Sequence, residues 1–188
     1  MGRWEPDARQ RLVRAALDLF SEQGYDNTAV AQIAERAGLT KSTFFRHYRD
    51  KREVLFGGQD ELAEVLTGGI AGAPEQAEPM AAVEAALVAV GGWFTEEQRE
   101  YGSQRQAVIG SNLELRERAA LKMAGFAVAM KDALHRRGVP ELAAVVAAEL
   151  GVLAFERAYG TWLETAGDWS EVARRSVAEV RAAAAELG

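Results

Sequence analysis

The stretch that decides the fold is TKSTFFRHYRDK, residues Thr40 to Lys51, which follows the sequence IAERAGL. A glycine at position 38 and a threonine able to cap a helix at position 40 predict a tight turn between two short helices. Six lysines and arginines lie between Arg36 and Arg52, against a single acid, Asp50, whereas the whole chain carries a net charge of −6. The sequence therefore places a compact positive patch on an acidic protein, and local charge matters more for partner choice than the total.

Composition limits the remaining possibilities. The chain has 188 residues, of which 48% are hydrophobic and 27% charged, enough to bury a core. It has no cysteine, so disulfides and thiolate metal sites are excluded. The longest apolar runs are far shorter than a membrane span, and the N-terminus has no apolar signal core. We expect a soluble, cytoplasmic protein that needs no cofactor and does not enter a membrane.

Helix-forming residues dominate the chain, and glycine or proline recurs at intervals typical of helix lengths. We predict an all-α protein with about nine helices, in two modules spanning residues 1–52 and 53–188. The first helix is predicted from Pro6 or Asp7 to Gln23, and Thr28 is predicted to cap the second. A fourth begins near Asp50 and runs to about Leu66. Gly57 and Gly58 lie inside it, so this helix either bends there or is kept helical by tertiary packing against the low helix propensity of glycine. A linker follows at 67–79, and the other predicted helices span about 80–100, 103–109, 112–137, 140–166 and 168–187. Asp168, with Glu171 three residues later, is predicted to cap the last of them.

The helix that begins at Thr40 has the size and polarity to enter the major groove of DNA. Its N-terminal residues Lys41 and Ser42, with Arg46 one turn later, are suited to contact base edges. We expect Thr43 and His47, which are i and i+4, to contact the DNA backbone. Lys51, near the next helix start, is expected to bind phosphate. For His47 a pH-sensitive switch is the alternative, and Phe44 and Tyr48 are predicted to be core residues rather than base-stacking groups.

Residues 24–56, GYDNTAVAQIAERAGLTKSTFFRHYRDKREVLF, strongly resemble the DNA-binding domain of the TetR family of bacterial transcriptional regulators. The matching positions are Gly24, Tyr25, Ile33, Ala34, Ala37, Gly38, Thr43, Phe44, His47, Tyr48 and Lys51. The resemblance implies a three-helix DNA-binding domain over residues 1–52. The candidate DNA-binding residues are Thr28, Thr40, Lys41, Ser42, Thr43, Phe45, Arg46, His47 and Lys51.

Two departures from the family pattern concern DNA contacts. Phe45 stands where the family often has a tyrosine whose hydroxyl contacts phosphate, so that hydrogen bond cannot form here. Ala31 offers nothing for base recognition from the second helix, which leaves Gln32 as a weak candidate there. We therefore expect base recognition to fall mainly on residues 41–46.

The second module, residues 53–188, is predicted to bind a ligand and to dimerise. The resemblance implies an inducer site, for which the apolar and aromatic residues are the candidates: Leu62, Leu66, Trp93, Phe94, Tyr101, Met123, Phe126, Met130, Phe155, Tyr159 and Trp162. The alternative is that these residues are ordinary core. The last two helices are rich in small residues, which permit close packing or simply favour helix. In the family the corresponding helices form a two-fold four-helix interface.

These observations predict a homodimeric transcriptional regulator, a repressor that an unidentified apolar or amphipathic small molecule releases from a palindromic double-stranded DNA operator. We expect the fourth helix to transmit the ligand-induced change to the DNA-binding module, because it connects the two modules. Gly57-Gly58 is the hypothesised point at which this helix bends. One alternative is a DNA-binding activator, or a regulator that answers a protein partner. The other is an enzyme on a helical bundle, but the sequence has no H-E-x-x-H motif, no paired E-x-x-H motifs and no phosphate-binding glycine loop.

Overall fold

The computed structural model describes residues 7–165 and 167–187, apart from the side chains of Gln59 and Glu97. Over this part of the chain it is all-α, as predicted, with ten α-helices and one short 3₁₀ turn. The helices are α1 (Ala8–Gln23), α2 (Val30–Arg36), α3 (Lys41–His47), α4 (Glu53–Phe56), α5 (Gln59–Gly72), α6 (Pro79–Ala89), α7 (Glu96–Ser111), α8 (Leu113–Arg136), α9 (Glu141–Glu164) and α10 (Trp169–Glu186); the 3₁₀ turn is Val90–Trp93.

The chain divides into two compact units. Unit 1 comprises Met1–Gly57 and Glu100–Ala119, and unit 2 comprises Gly58–Arg99 and Ala120–Gly188. Unit 1 therefore extends past the predicted boundary at residue 52 and includes most of α7 and the start of α8. The assignment of DNA binding to residues 1–52, and of ligand binding and dimerisation to 53–188, stays a prediction. Residues 1–6 of the first predicted domain lie outside the described residues.

Unit 1 is built around a core of apolar side chains from its short helices. Leu12 and Leu17 of α1, Ile33 of α2 and Phe44 of α3 are fully buried. Their spacing places one apolar face of each helix inward, which is the arrangement expected of amphipathic helices. Because α2 and α3 are only seven residues each, packing of α2 against α1 and of α3 against α2, rather than helix propensity, holds them in place.

Unit 2 packs α5, α6, α9, α10 and the C-terminal part of α8 around a larger core. Its fully buried large side chains include Leu66, Leu87, Met130 and Trp162. Helices α5 and α6 approach closely at Gly69, where an added Cβ would lie 2.5 Å from the Ala86 Cα. No helix in the described part of the chain is long and apolar enough to cross a membrane.

The predicted fourth helix is wrong as a continuous element. It is broken into α4 and α5 at Gly57-Gly58, and this break raises the number of helices from the nine predicted to ten in the described part of the chain. Gly58 has a φ of +85°, and a Cβ added there would lie 2.7 Å from the Trp93 ring. A residue in the left-handed conformation interrupts a right-handed α-helix. Glycine fits this position because a Cβ would disfavour the conformation and would also meet the Trp93 ring.

Other helix boundaries also differ from the predictions. Helix α5 continues to Gly72, so the predicted linker over 67–79 shrinks to the residues between α5 and α6. The helix expected to reach Glu100 ends at Ala89, and the short one expected over 103–109 is part of the sixteen-residue α7. The predicted ends at Pro6 and Ala166 lie outside the described residues. The predicted cap of the last helix is confirmed, since the Asp168 side chain accepts hydrogen bonds from the Ser170 and Glu171 backbone N–H groups.

Candidate nucleic-acid interface

Helix α3 is held by a side-chain cap at one end and by aromatic packing along its inner side. The Thr40 hydroxyl accepts a hydrogen bond from the Thr43 backbone N–H at 3.1 Å, so the predicted cap is confirmed. Phe44 and Tyr48 are buried, with ring centroids 5.7 Å apart. They are therefore core residues, as predicted, and they determine which side of α3 faces outward.

The outward side of α3 carries four side chains that we call the reading face: Lys41, Ser42, Phe45 and Arg46. All four are exposed. His47 is exposed and Thr43 half-buried on an adjoining side of the same helix. A helix that presents its first residues outward in this way matches the geometry by which helix-turn-helix proteins enter the major groove. The division into base-contacting and backbone-contacting residues stays a prediction.

Phe45 provides apolar surface within the reading face. Its side chain is 49% exposed, and the Lys41 Nζ lies 5.8 Å from its ring centroid. The ring also meets Phe44 edge-on, with centroids 5.5 Å apart. An exposed phenyl ring suits contact with a thymine methyl group, although it donates no hydrogen bond to phosphate.

The prediction that Thr28 caps α2 and contacts DNA is wrong. Thr28 is 2% exposed, and its hydroxyl donates to the Gly24 carbonyl at 2.8 Å. Ala29 is the residue at the cap position, and its backbone N–H donates to Gln32 Oε1 at 2.8 Å. The threonine hydroxyl thus serves the turn after α1. Gln32, the weak candidate for base contact from α2, uses its side-chain oxygen locally.

The predicted phosphate contact of Lys51 is also contradicted by the structure. The Lys51 ammonium donates to the carbonyl oxygens of Tyr25 at 2.6 Å and Thr28 at 3.0 Å, and approaches that of Asp26 at 3.4 Å. It also lies 4.2 Å from the centre of the Tyr25 ring. A lysine ammonium has three N–H donors, and here they face backbone carbonyls. Lys51, which is half-buried, therefore holds the turn between α1 and α2.

The helix start that was expected to attract phosphate is occupied by a carboxylate. Asp50 Oδ1 accepts hydrogen bonds from the Arg52 backbone N–H at 2.8 Å and the Glu53 backbone N–H at 3.1 Å. Burial raises the pKa of Asp50, but the hydrogen bonds from the Arg52 side chain and these two backbone groups outweigh it and hold the pKa below its usual value. The carboxylate supplies the negative charge that an unpaired helix start favours.

Ion pairs reduce the positive patch that the sequence predicts. Arg36 pairs with Glu22 at 2.8 Å, and Arg52 contacts both Asp50 and Glu114 at 2.7 Å. With Lys51 bound to carbonyls, three of the six cations are engaged. Lys41, Arg46 and Arg49 are exposed and form no ion pair within residues 7–165 and 167–187. The exposed charge of this segment is thus concentrated on α3 and on Arg49, two residues beyond its end.

Most of the predicted ligand-site residues lie together in unit 2. Phe94 contacts Phe155, Tyr159 and Trp162, with ring centroids 5.2 to 6.1 Å apart. Phe126 meets Phe155 edge-on. The other predicted residues of this unit, Leu62, Leu66, Met123 and Met130, belong to the same core or pack against it, and the Trp93 ring packs over Gly58. Whether the set binds a ligand stays a prediction.

Two residues change the membership of this candidate site. Tyr101 was placed in it wrongly, since it packs in the core of unit 1 with the Arg14 guanidinium 5.0 Å from its ring centroid. Trp169 was missed, although its ring stacks on Phe94 at 3.7 Å and its indole N–H donates to the Leu87 carbonyl at 2.7 Å. Its position directly after the cap residue Asp168 was the available signal, because the first residue of an amphipathic helix can still face the core. We call Phe94, Phe155, Tyr159, Trp162 and Trp169 the aromatic cluster.

A surface pocket lies elsewhere in unit 2 and shares no residue with the predicted ligand site. Its volume is about 260 Å³. It is lined by Glu78, Pro79, Met80, Ala143, Val146, Ala147, Leu150 and Arg181. This volume is below the range usual for small-molecule sites.

Helices α2 and α3, the tight turn between them and the outward side of α3 define a helix-turn-helix. Residues 12–57 match the model of a family described as bacterial regulatory proteins, tetR family. This segment of the chain therefore carries the match that the sequence motifs predict.

Two curated relatives show how far the sequence similarity extends. The chain is 38% identical over 82 residues to the HTH-type transcriptional regulator TcmR of Streptomyces glaucescens, a match covering 44% of this chain and 36% of the relative. It is 39% identical over 62 residues to the regulator AcrR of Shigella flexneri, covering 33% of this chain and 28% of the relative. The chain thus spans about a third of the length of the curated relatives it matches.

Solved structures match nearly the whole chain, although at low sequence identity. NalD, the secondary repressor of the MexAB-OprM multidrug efflux pump in Pseudomonas aeruginosa, has a TM-score of 0.59 at 19% identity over 94% of this chain and 96% of its own. FadR from Bacillus subtilis, a transcriptional regulator solved with stearoyl-CoA, has a TM-score of 0.58 at 17% identity over 90% and 96%. At this identity the likeness establishes the fold of both units.

Proposed function

We propose that this protein is a homodimeric transcriptional repressor that binds a palindromic DNA operator through α3 and is released by a small molecule bound in unit 2. The observation that carries the proposal is the capped α3, whose reading face points outward inside the segment that matches the tetR family. Its proposed partner is double-stranded DNA in the bacterial cytoplasm. The proposed activity is binding, not catalysis.

In this proposal Lys41, Ser42 and Arg46 contact base edges in the major groove. Arginine and lysine suit the O6 and N7 acceptors of guanine, and serine suits several bases. Thr40, Thr43 and His47 contact the sugar–phosphate backbone, which sets register without reading sequence. Phe45 adds apolar contact where a tyrosine hydroxyl would bind phosphate. Arg49 joins the backbone contacts in place of Lys51, because it is exposed two residues beyond the end of α3.

The proposed homodimer forms through α9 and α10. An apolar stripe on α9 is exposed in the single chain: Leu142 by 76%, Val146 by 49% and Leu153 by 47%. Ala178, Ala182 and Ala185 are exposed at helical spacing on α10, where small side chains allow close approach of another helix. Burying such a stripe against its own copy removes apolar surface from water. A two-fold dimer places two α3 helices on half-sites about one DNA turn apart.

The proposed effector is a small apolar or amphipathic molecule that binds among the residues of the aromatic cluster. Aromatic and aliphatic walls with a few polar groups are typical of such sites. An effector changes operator affinity only if it binds two conformations of the dimer unequally. The chain passes between the two units at Gly57-Gly58 and within α7 and α8, so these segments are the candidates for carrying the change.

Selection of bound sequences from a random DNA pool tests this proposal most directly. We expect an inverted repeat whose half-sites are centred about one helical turn apart, which reports DNA binding and two-fold symmetry together. Sedimentation of the free protein measures the dimer separately. A pool that yields no enriched sequence would contradict the proposal, and a single unrepeated half-site would contradict the dimer.

A further inference from the structure

The aromatic cluster of unit 2 contains a charged side chain that the sequence does not single out. Arg99, in the first turn of α7, is 16% exposed, and its guanidinium carbon lies 4.6 Å from the centroid of the Trp162 ring. Trp162 itself is 1% exposed. A cation stacked on a buried indole is attracted by the negative face of the ring, so the charge of Arg99 is held at the edge of the cluster.

The hydrogen bonds of Arg99 are only partly satisfied within the described residues. One terminal nitrogen donates to the Gly167 carbonyl at 2.8 Å. The other lies 3.4 Å from a Glu96 carboxylate that is 75% exposed and therefore well screened by water. The Nε–H is buried and has no hydrogen-bond partner in this part of the structure. Burying a donor of a charged group without an acceptor is costly, and such groups in native proteins need an explanation.

The surroundings of Arg99 combine apolar walls with access from the surface. Trp162 and Trp169 are buried, while Phe94 and Tyr159 are half-buried, so the cluster has one side that approaches solvent. A planar guanidinium offers two parallel N–H donors that match the two oxygens of a carboxylate. Flat apolar walls beside such a fork suit a ligand with an aromatic body and one anionic end.

We propose that Arg99 is the polar recognition group of the effector site, and that the site selects aromatic carboxylates over neutral molecules of the same shape. The inference deepens the proposed function, which leaves the polarity of the effector open. It assigns the charge of the ligand to one residue and the shape of the ligand to the aromatic cluster.

A matched pair of probes tests this assignment on the full chain without DNA. We expect 2-naphthoate to quench the intrinsic tryptophan fluorescence and to bind about tenfold or more tightly than 2-naphthamide, as hydrogen bonds to a charged group imply. In Arg99→Met the affinity for 2-naphthoate should fall to that for the amide, whose own affinity stays close to the wild-type value. Arg99→Lys keeps the charge but loses the fork, so it should retain only part of the preference.

Arg105→Met is the matched control. Arg105 has a buried, unpartnered Nε of the same kind but belongs to unit 1, so its replacement should leave the preference for the acid unchanged. Equal affinities of the two probes in the wild type, binding of neither, or a preference that survives Arg99→Met would each overturn the inference. If Arg99→Met does not fold, comparison of the wild type with Arg99→Lys still tests the inference. A preference for 2-naphthoate that is unchanged in Arg99→Lys would overturn recognition by the paired N–H donors of the guanidinium.

The outcome is distinguishable from failure of the proposed function. A protein that selects a palindrome but binds no naphthoate loses only the assignment of Arg99. A protein that binds naphthoate through Arg99 but enriches no DNA sequence loses the proposed repressor function and keeps the anion site.

Discussion

Lys41 and Lys51 stand at opposite ends of one short basic segment, yet they have opposite surroundings. Lys41 begins α3 and is exposed, with its ammonium 5.8 Å from the Phe45 ring. Lys51 follows α3 and directs its ammonium at backbone carbonyls of the turn between α1 and α2. Two lysines of equal charge in one segment therefore differ in surroundings: one side chain is exposed, and the other stabilises the fold. The difference arises because α3 faces outward while the chain after it folds back against the preceding turn.

The largest effect should come from removing the inner side of α3. Phe44 is fully buried, and truncating a buried phenylalanine costs about 3–5 kcal/mol through lost burial and the remaining cavity. We expect Phe44→Ala to unfold unit 1 or to lower its urea midpoint strongly, and to abolish DNA binding with it.

Phe45→Ala is the control for that experiment. Phe45 follows Phe44 in the sequence but is half-exposed. Truncating Phe45 should therefore lower the stability by far less than truncating Phe44. Similar losses of stability in the two variants would show that α3 does not face outward as described.

The second-largest effect should come from Lys41, the exposed lysine of the pair. We expect Lys41→Ala to weaken binding to the selected operator by about 1–3 kcal/mol and to relax the sequence preference at one base position, because a base contact is lost. Affinity for random DNA should change much less. Thermal unfolding should stay near that of the wild type, since an exposed lysine contributes little to stability. An unchanged preference in a repeated pool selection would remove Lys41 from base recognition.

Lys51→Met should give the opposite pattern. Three carbonyl oxygens lose their charged donor, and we expect a loss of stability of about 1–3 kcal/mol, measured by urea unfolding. DNA binding should weaken for all sequences alike, because the turn before α2 is loosened. The slope of log K against log salt should stay unchanged, whereas loss of a phosphate contact would flatten it by about one unit.

Arg49→Met provides the matched charge loss for that measurement. Arg49 is exposed two residues earlier and is proposed to contact phosphate, so its replacement should flatten the salt slope by about one unit. If the slope of log K against log salt is also flatter in Lys51→Met, Lys51 contacts a DNA phosphate.

The smallest effect is a pH dependence of the α4 start. Because the folded pKa of Asp50 is held below its unfolded value, its contribution to stability is present above about pH 4 and is lost as the pH falls through the folded pKa. Asp50→Asn should therefore be less stable than the wild type at pH 7, with the difference shrinking below pH 4. Unfolding midpoints across pH 2–7 measure it. A difference that is constant across this range would show that the carboxylate charge does not stabilise the turn.

Much of the fold follows from local sequence patterns, and the exceptions have identifiable causes. The cap at Thr40, the buried sides of α2 and α3 and the cap at Asp168 involve residues a few positions apart, so the sequence predicts them. At the break, Gly57-Gly58 is a local signal, but the Trp93 ring that leaves no room for a Cβ on Gly58 comes from 35 residues later. The errors at Tyr101 and Trp169 have the same origin. Aromatic residues of similar type pack in different units, and residue type alone does not reveal the packing partner.

The candidate site also has a part that local sequence spacing predicts and a part that depends on distant contacts. Residues 40–48 show their inner and outer sides through helical spacing alone, and that part of the prediction agrees with the structure. Thr28, Lys51 and Arg36 have the residue types of a DNA contact but find hydrogen-bond or ion-pair partners within unit 1. The importance of Arg99 also depends on residues far along the chain, Trp162 and Gly167.

Spacing within one or two helix turns was enough to predict the helical architecture, the helix-turn-helix and the match of residues 12–57 to the tetR-family model. Which polar side chains remain exposed depends instead on tertiary packing. Lys41 remains exposed, whereas Lys51 is bound to carbonyls and Arg99 stacks on a buried indole. A charge is assigned to a partner or to the fold by the acceptors that packing brings within about 3 Å, and those acceptors come from distant parts of the chain.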